Sequence, residues 1–224
     1  MTRPSAFSST NLPGPHNIGD VVLDNGLRLL IYENFSSETM VLNGYLPGGS
    51  IGEGRERAGL ANLTAAMLRR GTLSHSYDEI NEIIEAEGAS FGFGSGRHVL
   101  SIIGKSMIED VDLVLELLAE SLTQPAFDPD QFEQIRARVL TSIQERNHNT
   151  RAMASLNFRQ AIYPPDHPYH TPLSGYEDTV SQLSRDELPA FFKNYIGPAD
   201  GVLVVVGALS MDDIIAKLDR TLGQ

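Results

Sequence analysis

The chain has 224 residues and a formal net charge of −12, with 29 acidic against 17 basic side chains and no cysteine. That length can bury a sizeable core in one domain, and the acid excess leaves nothing to neutralise a run of phosphates, which argues against a nucleic-acid partner. The lack of cysteine excludes disulfides and thiolate metal sites and fits a reducing compartment, read here as bacterial cytoplasm with organellar stroma or matrix as the alternative.

Residues 1–19 lack the basic start and apolar core of a secretory signal and read as a flexible tail. No stretch approaches the roughly 18 consecutive apolar residues needed to cross a bilayer, so no direct membrane insertion is expected. Val21 to Tyr32 reads as a hairpin, with Asn25-Gly26 supplying both positive-φ positions of a type I′ turn. Met40 to Leu46 is a third strand, closed by Pro47-Gly48-Gly49. Ala58 to Arg70 has helical spacing through Leu60, Leu63, Met67 and Leu68. Ser76 and Glu79 form a capping box that opens a second helix, ended at Gly88. Phe91 to Ser95 and Val99 to Met107 are further strands, and Glu109 to Leu122 an amphipathic helix.

Asp128-Pro129 starts a long helical region that runs to about Asn147 and resumes from Thr150 to Tyr163. A proline- and histidine-rich loop follows, over Pro164 to Pro172. Ser184 to Tyr195 reads as a helix with Ser184 and Glu187 as a capping box. Gly201 to Gly207 is an apolar strand expected to be buried on both faces, and Ser210 caps a last helix over Met211 to Leu222. Strands and helices come in blocks, which predicts an α+β fold with a mainly antiparallel sheet and one domain over the whole chain.

Within the first long helix, Gly59-Leu60-Ala61-Asn62-Leu63-Thr64-Ala65-Ala66-Met67-Leu68-Arg69-Arg70-Gly71-Thr72 resembles the zinc helix of the pitrilysin/insulinase metallopeptidases, roughly GLAHFLEHMLFKGT. The resemblance continues through Leu23 to Leu29, Gly49 to Glu53, Ile80 to Gly88, Leu113 to Phe127, His167-Pro168-Tyr169 and Val202 to Gly207. It implies a processing-peptidase-like domain and the N-terminal half of a family subunit, with a second half in another chain or beyond Gln224. Carried over by position, the first zinc-binding His is Asn62, the base Glu is Ala65 and the second His is Ala66. The third ligand, a Glu from the later helix, falls on Ser142, or on Ile143 with a one-residue slip.

Alanine has no donor atom and a neutral amide is a poor zinc ligand. The resemblance therefore implies a non-catalytic homologue with no metal, no other cofactor and no catalytic residue of its own. It implies a catalytic sibling subunit with an intact His-x-x-Glu-His helix as partner, and a peptide as substrate of the pair. A structural subunit of a larger complex, soluble or membrane-associated, with no proteolytic task is the alternative role. A basic partner or peptide would be steered by the net charge. The family's substrate-pairing edge strand corresponds to Phe91, Gly92, Phe93 and Gly94, whose alternating glycines either admit a second backbone or mark a bent edge strand under a helix. Asp166 to His170 holds two imidazoles three residues apart, but Pro168 between them favours a surface loop with one buried His over a metal site. His75 and His98 read as structural, and Arg69-Arg70 as cations that complement a helix C-terminus.

Overall fold

The computed structural model describes residues 13–223. Its strands are β1 (Ile18–Val22), β2 (Arg28–Glu33), β3 (Thr39–Pro47), β4 (Ser90–Ser95), β5 (Val99–Met107) and β6 (Val202–Gly207). Its helices are α1 (Leu60–Met67), α2 (Tyr77–Ala86), α3 (Val111–Thr123), α4 (Pro129–His148), α5 (Thr150–Ile162), α6 (Glu177–Gln182), α7 (Glu187–Tyr195) and α8 (Met211–Leu222). The six strands form one sheet in the order β1-β2-β6-β3-β5-β4. Only the β2–β6 pairing is parallel, so the α+β class with a mainly antiparallel sheet holds.

Alternation along the strands divides the sheet into a covered and an open face. Leu29, Ile31, Met40, Leu42, Phe91, Leu100, Ile102, Leu203 and Val205 point into a core shared with the helices. The opposite positions carry Val41, Tyr45, Ile103, Met107 and Val204, all exposed. This corrects one expectation: β6 is buried on one face only, because the described helices pack on one side of the sheet, and Val204 remains 37% exposed. An all-apolar strand therefore does not imply two covered faces.

Other expectations shift in instructive ways. Ile18 and Gly19 belong to β1, which ends the expected tail short of residue 18; residues 1–12 lie outside the described ones. The β1–β2 turn is not type I′, because Gly26 alone has positive φ (87°) and Asn25 does not. The Asn25 side chain explains this: its Oδ1 accepts the Leu27 N–H at 3.1 Å and its Nδ2 donates to the Leu222 carbonyl at 2.5 Å. A local Asx bond and a tether to the last helix hold Asn25 out of the left-handed region. The Ser76–Glu79 box forms as expected, with Ser76 N–H donating to Glu79 Oε2 at 2.7 Å and Glu79 N–H to Ser76 Oγ at 3.3 Å. At Ser184 only the reverse half forms, through Ser184 N–H to Glu187 Oε2 at 2.9 Å, and α7 starts at Glu187. Helix α6 was not foreseen; six residues are too few for a periodic signal.

Helix α1 starts later than its pattern because Gly59 sits at φ 103° and cannot be helical, and it ends at Met67 rather than Arg70. A Cβ there would stand 2.8 Å from Val180 Cγ2 and 3.1 Å from the Ser174 carbonyl oxygen. Gly59→Ala is expected to cost about 1–3 kcal/mol in urea unfolding, from left-handed strain plus the clash; an unchanged midpoint would mean that the 174–180 segment yields freely.

Candidate functional site

Helix α1 rests between β4, α4 and α7, and its core face is Leu60, Leu63 and Met67, all buried. Its entry is fixed by Glu53. The carboxylate accepts the Gly59 N–H at 3.1 Å through Oε1 and the Ala61 N–H at 2.8 Å through Oε2. Two of the N–H groups left over at the helix start are thus satisfied by a side chain six to eight residues upstream. Burial pushes the Glu53 carboxyl up to about 7 from 4.5, against the pull of these N–H groups and of the nearby Arg97 charge.

Asn62 and Ala66 lie half-buried on one face of α1, with Ala65 buried beside them. Ala65 and Ala66 join Arg69, Arg70, Tyr77, Phe91, Gly92 and Phe93 around one cavity of about 200 Å³. The structure therefore brings the degenerate helix and three of the four candidate peptide-binding residues to one place. Gly94, Asn62 and Ser142 do not line the cavity. Ser142 is exposed on α4, while Ile143 is buried in the core.

Strand β4 is the sheet edge beyond β5. Phe91 pairs with Gly104 and Phe93 with Ile102 on the covered side, and the two rings meet edge to face at 6.0 Å. Gly92 and Gly94 pair with Ile103 and Ser101 on the open side. The phenylalanine face, not the glycine face, is the one beneath the helices.

The cavity's chemistry does not suit a zinc ion. Methyl groups stand at positions 65 and 66, and two guanidinium groups share the lining. Among the described residues, no group of three or more His, Cys, Asp or Glu side chains is placed to hold a metal ion. Three histidines make structural contacts. His75 Nδ1 lies 2.8 Å from Glu120 Oε2, His98 Nε2 lies 2.6 Å from the Tyr169 hydroxyl, and buried His170 places Nδ1 2.8 Å from the Tyr163 carbonyl oxygen.

Two contributors escaped sequence reading. Arg97 clamps the His-Pro-Tyr loop by donating to Ser50 Oγ at 2.9 Å and to the carbonyls of Pro168 at 2.7 Å and Thr171 at 2.8 Å. Glu53 stands in the sequence only as the end of the Gly49 to Glu53 motif. Its signal was available: an acid ahead of a glycine-led helix with no Ser, Thr, Asp or Asn cap.

A single sheet carrying a helix layer, with a zinc-peptidase frame at its edge, defines a peptidase-like domain. The chain belongs to the insulinase family (peptidase family M16), whose model matches residues 31–173. It is similar to a probable mitochondrial-processing peptidase subunit beta of Arabidopsis thaliana, 23% identical over 88% of this chain and 37% of that protein. It is also similar to cytochrome b-c1 complex subunit 1 of Bos taurus, 25% identical over 84% of this chain and 38% of that protein. Among solved structures, a peptidase M16 inactive domain from Pseudomonas fluorescens superposes with a TM-score of 0.85 at 25% identity, covering 92% of this chain and 50% of the other. The chain spans half or less of the length of these proteins.

Glu53 makes stability pH-dependent. Its folded pKa lies above the unfolded value, so the folded state holds the proton more tightly and stability falls as pH rises from about 4.5 to about 7, then levels off. The expected loss is about 1–3 kcal/mol across that window. Urea titrations at several pH values read it, and Glu53→Gln should flatten this part of the profile; parallel slopes in both proteins would refute the assignment.

Proposed function

We propose that this chain is a non-catalytic subunit of the family that pairs with a zinc-bearing sibling and completes the wall of a peptide-processing chamber. The observation that carries the proposal is the cavity lined by Ala65 and Ala66 where the resemblance places a catalytic base and a metal-binding imidazole. Hydrolysis then belongs to the sibling, and this chain holds peptide along β4 through Phe91, Gly92, Phe93 and Gly94. Three features support pairing. The chain spans half or less of the length of its relatives, two of those relatives are named as subunits, and the sheet leaves apolar Val41, Tyr45, Ile103 and Met107 exposed.

The similarity to a cytochrome b-c1 complex subunit favours a second reading, a structural subunit of a larger assembly with no proteolytic role. Among the described residues no helix is long and apolar enough to cross a membrane. Affinity purification separates the two, by whether a His-x-x-Glu-His protein or a membrane complex is recovered.

The purified chain is expected to retain no stoichiometric zinc by elemental mass spectrometry and to leave peptides intact. Adding the catalytic sibling should produce or sharply raise cleavage. One tightly held zinc per chain, or hydrolysis by this chain alone, would overturn the proposal.

The positional correspondence has its own test. The combined substitutions Asn62→His, Ala65→Glu, Ala66→His and Ser142→Glu should create a site that takes up one zinc per chain, and omitting Ser142→Glu should weaken it by about 10-fold or more. If the Ser142 substitution adds no affinity, the third ligand position lies elsewhere on α4.

A further inference from the structure

Arg69 and Arg70 were accounted for in the sequence as cations at a helix end. Their surroundings say more. Arg69 donates through Nη2 to Asn81 Oδ1 at 3.0 Å, but its Nε is buried with no acceptor. Its guanidinium carbon lies 5.5 Å from the centre of the Phe91 ring. Arg70 lies 4.1 Å over the Tyr77 ring and donates through Nη1 to Gln131 Oε1 at 3.3 Å, a long bond to a neutral amide. Neither guanidinium reaches a carboxylate among the described residues, and no acidic side chain lines the cavity they share. Both remain unpaired in a chain whose acids outnumber its bases 29 to 17. Burial, with the charges of Arg138 and Arg69, also holds the Arg70 pKa below its ordinary value.

The remaining walls are the methyls of Ala65 and Ala66 and the rings of Phe91 and Phe93. Such a pocket suits a group with an apolar stem and an anionic tip: the walls take the methylenes, and the guanidinium N–H groups take the charge. Strand β4 runs along the cavity as a sheet edge, paired with β5 on one side only. An extended backbone can therefore pair along the free edge and drop one side chain inward on the covered face.

We propose that the cavity between α1 and β4 receives the carboxylate of a glutamate side chain from an extended peptide lying along β4. The degenerate metal site is then a pocket of reversed polarity, shaped for an anion. The inference rests on the reading that β4 holds peptide, but it requires no partner subunit.

The test uses the full chain alone and fluorescein-labelled nine-residue Ala/Val peptides carrying Glu, Gln or Lys at the centre. Fluorescence anisotropy should show the Glu peptide binding about tenfold tighter than the Gln peptide, with the Lys peptide weaker still. Arg69→Met with Arg70→Met keeps stem length and ring contacts while removing both charges, and should bring Glu and Gln affinities within about twofold. Ala66→Glu supplies a carboxylate from within; it should raise Tm and exclude the Glu peptide. Equal Glu and Gln affinities for the native chain, or no binding of the Glu peptide up to millimolar concentration, would overturn the proposal. So would displacement of the Glu peptide by inorganic phosphate as readily as by unlabelled peptide, since that makes a general anion hole. Because no sibling is present, a failed stimulation assay leaves the Glu-to-Gln ratio standing, and a ratio of one leaves stimulation standing.

Discussion

The bond pair from Glu53 to the N–H groups of Gly59 and Ala61 sets the position of everything around the candidate site. Helix α1 has eight residues, too short to be stable by its own hydrogen bonds. Tertiary contact must hold it, and the capping carboxylate together with left-handed Gly59 fixes the angle at which it enters. That angle turns Leu60, Leu63 and Met67 into the core and leaves Ala66 beside β4. The arrangement has a cost. A carboxylate placed deeply enough to cap the helix loses hydration, and burial outweighs the favourable N–H dipoles in setting its proton affinity.

Much of this was legible in the sequence because it depends on local rules. The capping box at Ser76, the Asp128-Pro129 start and the Ser210 cap all act within four residues, and each formed as read. The inward run of Leu60, Leu63 and Met67 follows from helical period alone. The errors have a common origin in contacts distant in sequence. Asn25 is held by Leu222, 197 residues away, so the strongest local turn signal in the chain gives the wrong turn type. Strand β6 looks doubly buried because its composition is apolar, yet which face is covered depends on where α3 and α8 pack. Strand β4 was read with its glycines and phenylalanines correctly separated, but nothing local says which set lies beneath the helices. In the structure the phenylalanines are the covered set, with Phe91 opposite Gly104 and Phe93 opposite Ile102.

The candidate site shows the same division. Composition identifies the absent donor atoms, since no fold can give alanine a lone pair. Only the fold shows what occupies the neighbourhood instead. Arg69 and Arg70 follow α1 directly and look like dipole complements. Their place beside Ala65, Ala66 and Phe91 depends on β4 and Tyr77 closing the space around them. A metal centre concentrates carboxylates and imidazoles about a cation. Here the side chains around the same helix face are methyls, rings and guanidinium groups, so the local field has the opposite sign.

The open face of the sheet gives a different constraint. A solvated antiparallel face ordinarily alternates polar outside with apolar inside, and Asn43, Ser101 and Lys105 follow that rule. Val41, Tyr45, Ile103, Met107 and Val204 do not, and Ile103 is 58% exposed at the centre of β5. Scattered apolar side chains on a surface need no explanation, but these share neighbouring strands on one face: Val41 is two positions from Asn43, which pairs with both Ile103 and Val204. A contiguous face that mixes apolar groups with a few hydrogen-bonding ones has the composition of a surface that is dry part of the time. Burying it entirely would strand Lys105, and leaving it entirely wet would expose the aliphatic positions. The pairing proposed for this chain reconciles the two, because a neighbouring polypeptide that covers part of the face would bury the aliphatic positions and leave Lys105 in water.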